Sequence, residues 1–181
     1  MGSKSSGSSS GEDKYGEWED DSCYCIDEKG NYIGNNNVYD NDKVIKIEWE
    51  STHSANSGVR ALSDIPRSGA GQRLCHGYVQ TLIKCSKCNI HKRVTFEYGG
   101  YGKKWRIGKY NKVFKSYDSY EPSSMNIKYV LDIFKNMSGF KEDDYRFITN
   151  NCQHFAKKFY IKILWGYDGN YVLRNNIRQK G

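Results

Sequence analysis

Proline is nearly absent, at two residues in 181, and no stretch of about 18 consecutive apolar residues occurs anywhere. Without such a stretch no helix can cross a bilayer, and without an apolar run behind the first residues a secretory signal is not expected. No segment repeats, which sets aside repeat architectures. Six cysteines are present, Cys23, Cys25, Cys75, Cys85, Cys88 and Cys152. In a chain with no sign of export they read as reduced thiols rather than a disulfide frame.

Charge is distributed unevenly. The first 22 residues hold two lysines against six acids, so of the net +7 the remainder carries +11. The opening MGSKSSGSSSGEDKYGEWEDD is Gly/Ser-rich and then acidic, with little to bury, and residues 1–40 are expected to form a disordered tail ahead of one domain over 41–181. The basic body suits an acidic partner surface, and charge alone does not say which.

KVIKIEWE alternates Ile45, Ile47 and Trp49 with Lys46 and Glu48, a period of two that predicts a half-buried strand. A Ser- and Gly-containing loop follows from Ser51 to Gly71. HGYVQTLIKC and NIHKRVTFEYGG, separated by a turn at Ser86 and Lys87, predict a β-hairpin, and KKWRIGKY a further strand. Beyond Pro122 the period lengthens. Ile127, Val130, Leu131, Phe134 and Met137 fall at helical spacing, with Ser123 or Ser124 as N-cap and Gly139 as the stop. A second helix carries the stripe Cys152, Phe155, Ala156, Phe159, Tyr160, Ile163 and Leu164, leaves Lys157, Lys158 and Lys162 off it, and ends at Gly166. Strands first and helices later make an α+β domain, a small antiparallel sheet packed on helices.

Asn151 is a favoured N-cap residue, which sets Cys152 in the first helical turn, where free amides and the helix dipole favour a thiolate. A buried thiol that merely heads an apolar stripe is the competing reading. His154 cannot serve as its base, because residues two apart on a helix project about 200° from one another; ordering the helix start is its expected part. His76 opens a hairpin strand and is the best-placed base, against the alternative of a surface histidine. Pairing Val79 and Ile83 with Ile90, Val94 and Phe96 puts Gly77, Val79, Thr81 and Ile83 on the core face and His76 on the other, level with or diagonal to Glu97. A carboxylate there would orient the imidazole and favour its charged form. His91 shares that face but lies by the turn, roughly 25 Å along the ribbon at about 3.3 Å per residue. His53, in the loop, is a weak candidate.

ITNNCQHF followed by an amphipathic helix and WG resembles the catalytic-cysteine segment of the PPPDE family, permuted papain-fold (NlpC-like) thiol peptidases that include deSUMOylating isopeptidases. Tyr145, Asn150, Asn151, Cys152, His154, Phe155 and Gly166 fall on the family pattern, with Gln153 where asparagine is commoner. Upstream, VIKIEWE, His76 and FEYGG follow the family's order of elements. The resemblance spans roughly residues 43–166 and is specific at the cysteine. It implies Cys152 as nucleophile, His76 as base, Glu97, Asn151 and His154 in support, and amide or isopeptide hydrolysis at ubiquitin-like conjugates, with no cofactor or metal. No proline follows Gly166, as one usually does in that family. The lecithin:retinol acyltransferase-like family has a similar NCEHF segment and the same permuted fold, which makes a lipid acyltransferase or phospholipase the alternative. The strand-to-histidine spacing here is longer than in that family, and no HW-type motif follows His76. A silent binding module of the same fold is a third reading.

Cys85-x-x-Cys88-x-x-His91 has three zinc-ligand types but no fourth nearby unless Cys23 or Cys25 reaches it, so a hairpin turn with two reduced thiols is expected. KKWRIGKYNKVFK mixes bases with aromatics as nucleic-acid binders do, but reads here as a solvated lysine-rich strand; nucleic acid is not an expected partner. MGSKSS matches the N-myristoylation pattern at Gly2 and equally a flexible tail. The expected location is cytoplasmic. Membrane association would be reversible, since one acyl chain anchors only marginally and the basic body or palmitoylated Cys23 or Cys25 must supply the second signal.

Overall fold

The computed structural model describes residues 18–21, 25–26, 29–34, 37–53, 75–146 and 149–167. Its centre is a five-stranded antiparallel sheet built from the alternating segments. The strands β4 (Lys43–His53), β5 (Cys75–Lys84), β6 (His91–Gly99), β7 (Gly102–Ile107) and β9 (Lys115–Tyr120) lie in the order β7-β6-β5-β4-β9. Two small ribbons accompany it: β1 (Trp18–Glu19) pairs with β8 (Lys109–Tyr110), and β2 (Cys25–Ile26) with β3 (Tyr32–Gly34). The helices are α1 (Ile127–Asn136) and α2 (Cys152–Tyr167), with a single 3-10 turn at Glu142–Asp144 between them.

The hairpin register follows apolar pairing. Val79 opposes Phe96 and Thr81 opposes Val94, so the odd positions of β5 face the helices. Ile90 departs from the expected pattern: it stays in the turn, 46% exposed, and fully buried Lys92 takes the place opposite Ile83. Lys92 is tolerated there because Asp42 and the carbonyl of Asn37 receive its ammonium group. In β4 a bulge between Val44 and Lys46 shifts the alternation, so Val44 and Ile47 reach the core while Ile45 is only partly buried. The edge strand β9, KSYDSY, is polar and mostly exposed, and has no apolar alternation to announce it.

Both helices pack on one face of the sheet. The expected stripe of α2 is buried throughout from Cys152 to Leu164; Phe155 and Phe159 stack on each other and meet the rings of Phe96, Phe134 and Phe140 at tilted or edge-on angles. The cap of α1 differs from expectation. Asn126 holds the N-cap position, because Ser123 and Ser124 are occupied by the Tyr167 hydroxyl at the far end of α2. The helix stops at Asn136, and the ammonium group of Lys103 donates to the carbonyls of Phe134 (2.8 Å) and Met137 (2.7 Å), neutralising its negative end. Gly166 lies inside α2 rather than ending it; a Cβ there would collide with the Tyr129 hydroxyl.

The opposite face of the sheet is covered by the β1–β8 ribbon. Gly108 turns the chain from β7 into β8 at φ +130°, and a Cβ on it would come within 2.5 Å of the Glu19 carbonyl oxygen. The segment 1–40, read from sequence as a tail, thus contributes β1, β2 and β3 at its described positions. Trp18 and Cys25 supply the burial that the composition of the tail as a whole lacks. Residues 1–17, with Gly2, lie outside the described residues. Among the described residues no helix is long and apolar enough to cross a membrane.

Candidate active site

β5 is the middle strand, and its pairing with β6 runs no farther than Tyr78 opposite Glu97. Past that point the backbone of Cys75 and Gly77 meets the start of α2. The Cys75 carbonyl accepts from the Gln153 side-chain amide at 3.2 Å and lies 3.9 Å from the Cys152 sulfur, while the Gly77 amide is directed at that sulfur. This approach depends on Gly77. A Cβ there would come 2.8 Å from the Gln153 side-chain oxygen and 3.1 Å from its Cα, so any larger residue pushes the helix start away.

Asn151 caps α2 as its residue type predicts. Its side-chain oxygen accepts from the Gln153 amide (3.0 Å) and the His154 amide (3.2 Å), and from His154 Nδ1 at 2.9 Å. His154 is exposed and turned back on the cap, so it orders the helix start and faces away from Cys152 chemistry.

His76 is 1% exposed, which removes the surface-histidine alternative. Its Nε2 lies 2.8 Å from Glu97 Oε2, diagonally across the ladder, and the ring is also a hydrogen-bond partner of the Cys152 thiol. Glu97 is itself wholly buried. Tyr110 donates to its Oε2, and Arg106 Nε (3.2 Å) and Lys104 Nζ (3.3 Å) pair with Oε1. Arg106 in turn packs against two rings, its guanidinium 3.3 Å from the Trp18 ring centre and 5.3 Å from that of Tyr110.

The ionisation follows from these contacts. Burial pushes Glu97 up, but His76, Arg106 and Tyr110 outweigh it and hold the carboxyl at about 2. Burial pulls His76 down, yet Cys152 and Glu97 leave its pKa above the ordinary value. Burial pushes Cys152 up, while His76 and the amides of Gly77 and Gln153 bring it below the ordinary thiol. All three shifts run in the direction that favours a thiolate and an imidazolium beside a carboxylate.

Cys152, His76, Glu97 and Asn151 are therefore brought together, with His154 on the cap. His91 is exposed at the other end of the hairpin, opposite Lys84, and the backbone of His53 pairs with Cys75 in β4. Arg106 and Lys104 were read from sequence as part of a solvated strand, but both turn onto Glu97. Glu97 opposes Lys104 across the tight Gly99–Gly102 turn, so extending the hairpin register to β7 was the signal that could have placed Lys104. Nothing local marks Tyr110 or Tyr117; the latter, stacked on Trp49 at 4.6 Å, lies beside Cys75 and Cys152. A separate groove of about 570 Å³ lies between α1 and the last turns of α2, lined by Tyr129, Ile133, Lys162 and Trp165. Trp165 is 13 residues along the helix from Cys152, about 20 Å at 1.5 Å per residue, so the groove is remote from the thiol.

No protein-family model, curated protein or solved structure matches this chain.

Proposed function

We propose that this chain is a thiol hydrolase of the permuted papain type, cleaving amide or isopeptide bonds. The observation that carries this reading is the continuous set of contacts from Cys152 through His76 to buried Glu97 at the capped start of α2. In this mechanism the Cys152 thiolate adds to the substrate carbonyl, and the backbone amide of Cys152 helps hold the oxyanion. The tetrahedral adduct collapses as the His76 imidazolium gives its proton to the departing amine. Water then attacks the thioester, with neutral His76 taking its proton, and collapse releases the acid and restores the thiolate–imidazolium pair. Glu97 keeps the ring oriented and its charged form favoured throughout. The likeness of ITNNCQHF to the PPPDE segment directs the reading toward the C-terminal glycine of a ubiquitin-like modifier as acyl donor.

The test is intact-mass analysis of the full chain after exposure to a ubiquitin-like modifier carrying a C-terminal electrophile, and in parallel to an activated lipid ester. The modifier should add once, and the adduct should vanish in Cys152→Ser and His76→Ala while persisting in His91→Ala. A retained acyl thioester from the lipid probe alone would transfer the site to acyltransferase chemistry. Reaction with neither probe would leave a silent binding module and overturn the proposal.

A further inference from the structure

A second cluster of reactive side chains lies at the opposite end of the β5–β6 hairpin from His76. The Cys25 sulfur, from β2, is 3.5 Å from that of Cys85 and 3.5 Å from that of Cys88, and all three sulfurs fall within 4.8 Å of one another. Cys25 and Cys85 are buried and Cys88 half-buried, with Tyr39 packed beside them. A disulfide needs sulfurs at about 2.05 Å, and three thiols cannot all pair. Sulfurs around a tetrahedral zinc at about 2.3 Å stand about 3.8 Å apart, close to the spacing found.

The turn is shaped for thiolates. The Asn89 amide donates to the Cys85 carbonyl at 2.9 Å, and the Cys85 amide to that of Ile90 at 2.9 Å. Asn89 closes the turn at φ +61°, a left-handed conformation that asparagine tolerates. This winding turns the amides of Lys87 and Cys88 toward the Cys85 sulfur, supplying donors that a metal-bound thiolate accepts and an apolar core thiol does not need. Buried Asp42 fixes the turn from outside, accepting from the Ser86 amide (2.7 Å) and hydroxyl (2.9 Å).

We propose that Cys25, Cys85 and Cys88 bind one zinc ion that staples the N-terminal β2–β3 ribbon to the β5–β6 turn. Three soft thiolates in tetrahedral spacing select zinc over the oxygen-seeking cations. They leave one coordination position, which zinc fills with a further side chain or with water. The site shares no residue with the Cys152 centre, and its role is structural.

The full chain, reduced and metal-free, is titrated with cobalt(II) and then zinc(II). The expected result is the sulfur-to-cobalt charge-transfer absorption with the visible bands of a tetrahedral site, saturating at one equivalent and displaced by zinc. Cys25→Ser and Cys85→Ser should lose it, and Cys88→His should keep binding with a weakened charge-transfer band. Cys152→Ser and Cys75→Ser should bind as the parent does. Absence of the band at excess cobalt, its survival in the Cys25→Ser/Cys85→Ser double variant, or a disulfide linking Cys25 to Cys85 or Cys88 under reductant would each overturn the site.

Discussion

At the scale of single residues, Glu97 sets the behaviour of the site. A wholly buried carboxylate survives only because His76, Lys104, Arg106 and Tyr110 surround it, and losing one member of such a set leaves the others uncompensated. Glu97→Gln should cost about 3 kcal/mol in chemical denaturation at neutral pH. Its pH dependence has a defined sign. Because the folded pKa of Glu97 is depressed to about 2, its contribution is complete above the ordinary carboxylate value and fades as pH falls toward about 2. Glu97→Gln should therefore flatten that acid limb. His76 behaves oppositely: its raised pKa makes its contribution complete below the ordinary imidazole value, to be lost as pH rises through the folded one. A stability profile of Glu97→Gln identical in shape to the parent would refute this assignment.

At the scale of elements, the contact between β5 and the start of α2 decides whether the thiol is reactive. Gly77→Ala should displace the helix start from the strand and cost Cys152 the Gly77 amide, and with it part of the thiolate's stabilisation. Loss of one pKa unit of depression lowers the thiolate fraction by at most about tenfold. The rate of iodoacetamide alkylation near neutral pH should fall, by up to about that factor, while Gly100→Ala, with open space around it, should react at the parent rate. An unchanged rate in Gly77→Ala would mean that the approach of helix and strand does not tune Cys152. Much of this geometry was legible in the sequence, because an apolar hairpin has one register that buries both sides, and because Asn151 and the stripe of α2 fix that helix's phase. The serines before α1 misled: capping preference is a local tendency, and the Tyr167 hydroxyl competed for the same side chains. The bulge in β4 was likewise invisible, since a one-residue insertion leaves no mark on composition.

At the scale of the whole molecule, the site has two walls: helices on one face, and on the other a ribbon contributed by residues that composition alone assigned to a tail. Trp18 covers Arg106 and meets Tyr110 edge-on at 5.2 Å, so it shields the charges that hold Glu97. Trp18→Ala should lower stability by about 1–2 kcal/mol and shift the pH profile of Cys152 alkylation toward that of an ordinary thiol. A stability loss with an unaltered profile would confine Trp18 to packing. Long-range pairings of this kind escape a sequence reading because no local period encodes them. Assembly order carries its own consequence. β5, β6 and β7 are joined by tight turns and can pair as they leave the ribosome, but Cys75 and Cys152 are 77 residues apart. Until α2 emerges and docks, Cys152 has neither its imidazole neighbour nor its strand amide, and it remains an ordinary thiol. Under the proposed function, the growing chain is thus spared premature thioester chemistry on the ribosome, and the docking of α2 on β5 is the step that arms the thiol.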